Sequence, residues 1–282
     1  MKEIRLPLRH LTLSGLRFGN PQGPKVLALH GWLDNAASFV PISGYVDHMD
    51  IVAVDFAGHG HSEHRSADAH YHLVDWVQDI HELLDSLDWQ SCHLLGHSMG
   101  GIVSSLYAAT FPERIASLVM IEAFGPLSRD EQSSPQQLRE SVLSRLEIDS
   151  KPARHPPSRK RAVTARMLAG DLGREAASLL ADRNLKEEDE LKWRTDRRLR
   201  TISSLRMTEA QAQAFLQQIR CPVLTIMGSQ GFDKIKVNQQ QRANLIPQLQ
   251  IAEAEGGHHV HMDNPHAVAE HIRRFWAQVD QK

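Results

Sequence analysis

Apolar residues fall along this chain in two rhythms. Short unbroken runs occur at Val26–Leu29 in "KVLALHG", at Ile51–Val54 in "DIVAVDFAGHG", in "SCHLLGH", and at Ile115–Ile121 in "IASLVMIE". A strand covered on both faces needs apolar side chains on both, so these runs predict buried strands. Between Leu73 and Leu87 the apolar positions are instead 73, 76, 77, 80, 83, 84 and 87, the spacing of one helix face. A further helix is expected from about Ser98 to Thr110, stopped ahead of Pro112. The opening segment, Ile4–Phe18, alternates around Gly15 and predicts an antiparallel hairpin. Strands alternating with helices predict an α/β fold, a mostly parallel sheet with helices on both faces.

The rhythm breaks between residues 125 and 218. This stretch is rich in Arg, Gln, Glu and Ser and carries no strand pattern. Two capping boxes mark helices in it, Ser134 with Pro135 and Gln137, and Thr208 with Gln211. The alternation then resumes with "PVLTIMG", a helix near Lys236–Leu245, "QLQIAEAEG", and a last helix. That helix opens at Asn264-Pro265 and shows an apolar face at Val268, Ile272, Phe275 and Trp276. The expected organisation is a core domain of residues 1–124 and 219–282, interrupted by a helical cap at 125–218.

At 282 residues, with 41% hydrophobic and 23% charged, the chain has the balance of a soluble globular protein. A net charge of -2 lacks the basic footprint that nucleic acid or an anionic membrane would demand. The basic run "KPARHPPSRKR" (151–161) has no interleaved aromatics and is expected to be a solvated face. No stretch approaches the roughly 20 apolar residues of a membrane span, and the N-terminus has no signal-like apolar segment. Cys92 and Cys221 alone cannot make a disulfide framework and are expected as buried thiols. Together these features predict a cytoplasmic protein with a small-molecule partner, neither nucleic acid nor membrane.

The chemistry starts in "HLLGHSMGGIVSS", residues 93 to 105. Ser98 stands between a predicted strand and a predicted helix, framed by Gly96 and Gly100 in the nucleophile-elbow pattern G-x-S-x-G. An abrupt turn there forces strained backbone on the serine and leaves no room for side chains two positions away. A serine hydroxyl is a weak nucleophile without a base, so a histidine should follow. "GGHHVHMDNP" offers one between the last strand and the last helix.

With these residues the chain resembles the α/β-hydrolase fold family. In its capped members the catalytic histidine stands in a G-H-x-x-x-x-x-x-P arrangement, which Gly257, His258 and Pro265 match. His259 and His261 then fall at variable loop positions. "HGW" resembles the family's H-G-x motif, which implies an oxyanion hole of the Trp32 and Met99 backbone amides, with His30 holding the loop. The acid departs from the pattern. Its commonest family position, three residues beyond the glycine ending "PVLTIMG", is Gly231. Asp233 lies two residues on. Glu122 stands at the alternative position after "VMI", as in some haloalkane dehalogenases, and is preferred, since a carboxylate ending a buried strand needs a partner.

A rival constellation is "HGHSEH", His59 to His64, which resembles a metallo-β-lactamase-like metal motif through His59, His61 and His64, with Glu63 in place of aspartate. The same stretch fits the D-x-x-G-x-G-x-S loop of α/β-hydrolases through Asp55, Gly58, Gly60 and Ser62. That family pattern also covers the elbow, so no metal is expected. "HGWLDNAASF" with "DFAGHGHS" is most similar to the serine hydrolase-like proteins. The resemblance implies ester or acyl hydrolysis through an acyl-enzyme on Ser98, without cofactor. Epoxide hydrolases and haloalkane dehalogenases need a carboxylate nucleophile, so Ser98 argues against both. Carbon–carbon bond hydrolysis or acyl transfer on the same residues, and a non-catalytic ligand-binding protein, remain the alternatives.

Overall fold

The computed structural model describes residues 1–280. In chain order the strands are β1 (Lys2–Pro7), β2 (Thr12–Gly19), β3 (Lys25–Leu29), β4 (Asp50–Val54), β5 (Cys92–His97), β6 (Ile115–Ile121), β7 (Leu185–Glu187), β8 (Leu191–Trp193), β9 (Val223–Gly228) and β10 (Leu249–Ala254). The helices are α1 (Asp75–Ser86), α2 (Met99–Thr110), α3 (Ser134–Ser150), α4 (Arg159–Gly170), α5 (Arg174–Asn184), α6 (Glu209–Gln218), α7 (Asp233–Arg242), α8 (Val260–Asp263) and α9 (Pro265–Val279). Eight strands form one sheet in the order β1-β2-β4-β3-β5-β6-β9-β10. β1, β2 and β4 pair antiparallel, and every pairing from β4 to β10 is parallel. The predicted α/β architecture and opening hairpin are both present.

Successive residues of a strand face opposite sides, so each central strand feeds two cores. Leu94, Leu118 and Met120 join Ile80, Leu83 and Leu84 of α1 and Val103 and Tyr107 of α2. Their neighbours Leu95, Val119 and Ile121 join Val268, Ile272, Phe275 and Trp276 of α9. This two-sided covering explains why the central strands read as unbroken apolar runs. Cys92 and Cys221 are buried and free, and burial pushes both thiols up to about 12, which leaves them inert. No helix among the described residues is long and apolar enough to cross a membrane.

The segment between β6 and β9 corrects the sequence expectation in two places. It contains a short antiparallel hairpin, β7 with β8, where no strand was expected. Strands of three residues are too short for alternation to show in sequence. The box expected at Ser134 does not form: the Ser134 hydroxyl donates to the Glu131 carbonyl (2.7 Å), and the Gln137 amide donates to Ser133 Oγ (2.7 Å). The second box is complete, with Gln211 N donating to Thr208 Oγ1 (3.3 Å) and Thr208 N donating to Gln211 Oε1 (2.9 Å). Helix α7 starts at Asp233, three residues earlier than expected, because its polar first turn hides its onset.

This segment is moored beyond the C-terminal ends of β3 and β4. Asn35 donates to the Leu180 carbonyl at 2.9 Å, and the Trp32 indole donates to the Leu199 carbonyl at 3.0 Å. Arg183 of α5 spans Asp55 (2.7 Å) and Glu3 (2.8 Å), with Asp55 wholly buried. Deleting one member of a buried pair strands the other charge, at a cost of roughly 3–5 kcal/mol. Arg183→Met should therefore lower the free energy of urea unfolding by about that amount. A loss under about 1 kcal/mol would mean that this pair does not anchor the segment.

Candidate active site

Strand β5 ends at His97 and helix α2 begins at Met99, which leaves Ser98 alone to make the turn, at φ 50° and ψ -118°. The flanking glycines are required by close approach. A Cβ on Gly100 would lie 2.0 Å from the Leu29 carbonyl oxygen, and one on Gly96 2.5 Å from Gly101 Cα. The turn is pinned by the Ser98 amide, which donates to the Ile121 carbonyl at 2.9 Å. No side chain caps α2 at this end, so its first amides, Met99 foremost, keep free donor capacity beside the serine.

His258, on the loop after β10, places Nε2 2.9 Å from Ser98 Oγ. Its Nδ1 lies 3.1 Å from Oε2 of Glu122, the residue that follows β6. A carboxylate can only accept, so Nδ1 carries the proton and Nε2 is left to accept from the serine hydroxyl. Burial lowers the His258 pKa below its ordinary value, while Glu122 opposes that shift. The Phe232 ring stacks on the imidazole at 4.1 Å between centroids.

Glu122 is fully buried and is held from three sides. Oε1 accepts from Gly228 N (2.7 Å), and Oε2 accepts from Phe232 N (3.2 Å) as well as from His258. Asp233 is exposed at the first residue of α7 and has no hydrogen bond to His258. Gly231 gains a positive reason: a Cβ there would stand 2.1 Å from Glu122 Oε1. The commoner acid position is empty of side chain because the Glu122 carboxylate occupies its space.

Trp32 lies on a turn closed by Asp34 N donating to the Gly31 carbonyl at 3.1 Å, with Leu33 at φ 61°. Two buried histidines support this loop as acceptors. His30 Nε2 takes the Phe56 amide (3.0 Å) and His59 Nε2 takes the Leu33 amide (3.3 Å). Burial drives their pKa values down to about 4 for His30 and about 3 for His59, so both rings are neutral as that duty requires.

The rival metal constellation does not converge. Both His59 nitrogens are engaged, Nδ1 with the Ala57 carbonyl at 3.2 Å. His61 turns to Glu3 (3.1 Å) and His64 to the Arg194 carbonyl (2.8 Å). The three face different partners because a tight glycine loop, not a strand, carries them. A different group does converge: Asp34, His97 and His259, all buried. Sequence reading passed over Asp34 and His97 and took His259 and His261 for loop positions. The last two are in fact buried, and His261 Nε2 bonds Ser38 Oγ at 2.7 Å. Pairings across 223 to 225 residues leave no local signal.

A family model described as alpha/beta hydrolase fold matches residues 24–265. A serine hydrolase-like protein of Dictyostelium discoideum is 32% identical over 269 residues, covering 89% of this chain and 74% of that protein. Serine hydrolase-like protein 2 of Homo sapiens is 30% identical, covering 98% of this chain and 94% of that protein. Among solved structures, a hypothetical protein of Pseudomonas aeruginosa PAO1 is similar with a TM-score of 0.90 and 38% identity, over 100% of both chains. A thioesterase domain from the curacin biosynthetic pathway is similar with a TM-score of 0.84 and 25% identity, over 96% of this chain and 99% of its own.

The crowding at Gly231 is directly testable. Gly231→Ala should displace the Glu122 carboxylate from the imidazole and cut turnover of an activated ester roughly a hundredfold, the scale of a 1 Å misplacement. A variant with wild-type turnover would show that the Glu122–His258 contact tolerates the displacement.

Proposed function

The chain belongs to the alpha/beta hydrolase fold family, and on that premise we propose that it is a serine hydrolase cleaving carboxylic esters or related acyl compounds through an acyl-enzyme on Ser98. One observation carries this reading: the unbroken contact from Ser98 Oγ through His258 to Glu122, at 2.9 and 3.1 Å. The three side chains come from the ends of β5 and β6 and the loop after β10, at the carboxyl edge of the sheet, where ligands bind open α/β sheets. Similarity to serine hydrolase-like proteins, and to a thioesterase domain, supports acyl chemistry.

In the proposed mechanism His258 Nε2 accepts the Ser98 proton as Oγ attacks the carbonyl carbon. The carbonyl π pair moves onto oxygen, and the amides of Trp32 and Met99 hold that oxyanion. Collapse expels the alcohol, which leaves with the proton from His258. Water repeats the sequence on the acyl-enzyme and releases the acid. Glu122 keeps His258 in the tautomer this requires and stabilises the imidazolium that forms. Residues 125–218 serve as the cap over this edge, and neither metal nor cofactor takes part.

A fluorophosphonate probe should label the wild-type protein at Ser98, and Ser98→Ala should lose several orders of magnitude in kcat. An unlabelled serine would favour the non-catalytic, ligand-binding reading. For the acid, Glu122→Gln should cut kcat by roughly two to four orders of magnitude while Asp233→Asn stays near wild type. The reverse ranking, measured on one activated ester, would move the acid to Asp233.

His258 works as a base only when neutral, and burial depresses its pKa. kcat/KM should therefore rise with pH along an acid limb lying below the ordinary histidine value of about 6.5. A limb above that value would contradict a buried imidazole as the base.

A further inference from the structure

We propose that Asp34 is a positioning residue that holds His259, the neighbour of the proposed base His258, and couples that hold to the docking of α4. The inference rests on the serine hydrolase reading given above. The Asp34 carboxylate is buried, and its two oxygens face different parts of the molecule. Oδ1 is paired with the Arg166 guanidinium of α4. Oδ2 lies 3.2 Å from His259 Nε2 and 3.4 Å from His97 Nδ1.

Hydrogen-bond chemistry sets the protons. His97 Nε2 is 2.9 Å from the His258 carbonyl, which can only accept, so Nε2 carries hydrogen. By the same logic His259 Nδ1 donates to the Gly170 carbonyl, the last residue of α4, at 3.0 Å. The opposite nitrogens, His97 Nδ1 and His259 Nε2, both turn toward Asp34 Oδ2, and His97 Nδ1 is buried without a hydrogen-bond partner. Lone pairs facing one another in a buried site need a positive charge between them, either a proton or a metal ion. Arg166 decides between these. Its guanidinium already neutralises the carboxylate, so a dication would add two positive charges to a buried space that holds no second carboxylate. The hydrogen bond lies between His259 Nε2 and Oδ2, while His97 Nδ1, at 3.4 Å, makes none, so Asp34 holds the residue next to His258 directly. Burial alone would raise the Asp34 pKa, but His259 and Arg166 outweigh it and hold the carboxyl well below the usual range.

The consequence is mechanical. Helix α4 touches this cluster twice, through Arg166 and through the Gly170 carbonyl, and the cluster touches the proposed base through its main chain. Undocking α4 would loosen the seat of His258 without any contact to substrate. His258 itself is faced by Ser98 and His97 from the β5 turn, Glu122 from the end of β6, Phe232 before α7, and His259 on its own loop, with Asp34 and His261 behind them.

The test compares wild type with Arg166→Gln, Arg166→Lys and Asp34→Asn, by fluorophosphonate labelling rate against pH and by NMR titration of the His258 ring. Arg166→Gln unmasks the Asp34 charge and should shift His258 titration upward, while Asp34→Asn removes that charge and should shift it downward. Labelling by Arg166→Gln at its pH optimum should fall roughly ten- to a hundredfold, and Arg166→Lys should recover most of it. If burial of the new amide unfolds Asp34→Asn, the two Arg166 variants still decide, because that side chain lies at the cluster's edge. Unmoved titration with wild-type labelling in Arg166→Gln would overturn the coupling. So would stoichiometric zinc, bound by protein purified without added metal and lost in His259→Ala. If the wild type itself is not labelled, the hydrolase reading fails instead, and the His258 titrations alone decide the coupling.

Discussion

Glu122 places a carboxylate where water does not reach, and the architecture of the site follows from satisfying it. Its two oxygens draw donors from the end of β9 (Gly228 N), from the turn before α7 (Phe232 N) and from the His258 ring. Each donor belongs to a different stretch of chain, so one side chain fixes how β6, β9 and the loop after β10 end relative to one another. An unmet acceptor in such a place costs about 1–3 kcal/mol, and more for a charged group. The same demand excludes any side chain at Gly231. The proposed base is thus oriented by a group that the fold must hold still for its own stability.

Backbone strain collects around the same point. Leu33, Ser98 and Glu122 all have positive φ, between 47° and 61°, although none is glycine. Residues held in that region cost on the order of 1–3 kcal/mol each and persist only where their surroundings over-determine them. Here the surroundings are β3 to β6, whose apolar side chains are almost wholly buried, and the Leu29 carbonyl that closes on Gly100. Relaxing the turn at Ser98 would mean parting strand from helix in the centre of the sheet.

Histidines near the site show how burial sorts one residue type into separate duties. His30 and His59, driven neutral, accept backbone amides and shape the loop that carries Trp32. His97 and His259 each donate to a carbonyl and turn the other nitrogen toward Asp34. Only His258 has one nitrogen on a carboxylate and the other on a serine hydroxyl. Residues 125–218 meet this assembly through arginines, Arg183 at Asp55 and Arg166 at Asp34, and through the neutral hydrogen bonds of Asn35 and Trp32 to main-chain carbonyls.

Sequence alone determined whatever depends on near neighbours in the chain. Buried strands follow from the apolar runs, α1 and α9 from helical spacing, and the Ser98 turn from glycines two residues either side, since these are constraints within a few residues. His258 was expected near Ser98 only through the resemblance to the family, by its spacing to Pro265. The choice between Glu122 and Asp233 was legible only as a preference. The Glu122–His258 contact depends on the position of the residue after β6 relative to a loop 136 residues later. The Asp34 cluster was invisible, because its members are separated by up to 225 residues and none has a local pattern. Hairpin β7–β8 and the unformed box at Ser134 escaped for the opposite reason: their local signals are weak, and packing decided them. Propensities act between neighbours, whereas burial and charge pairing act across space, and only the folded chain brings the latter partners together.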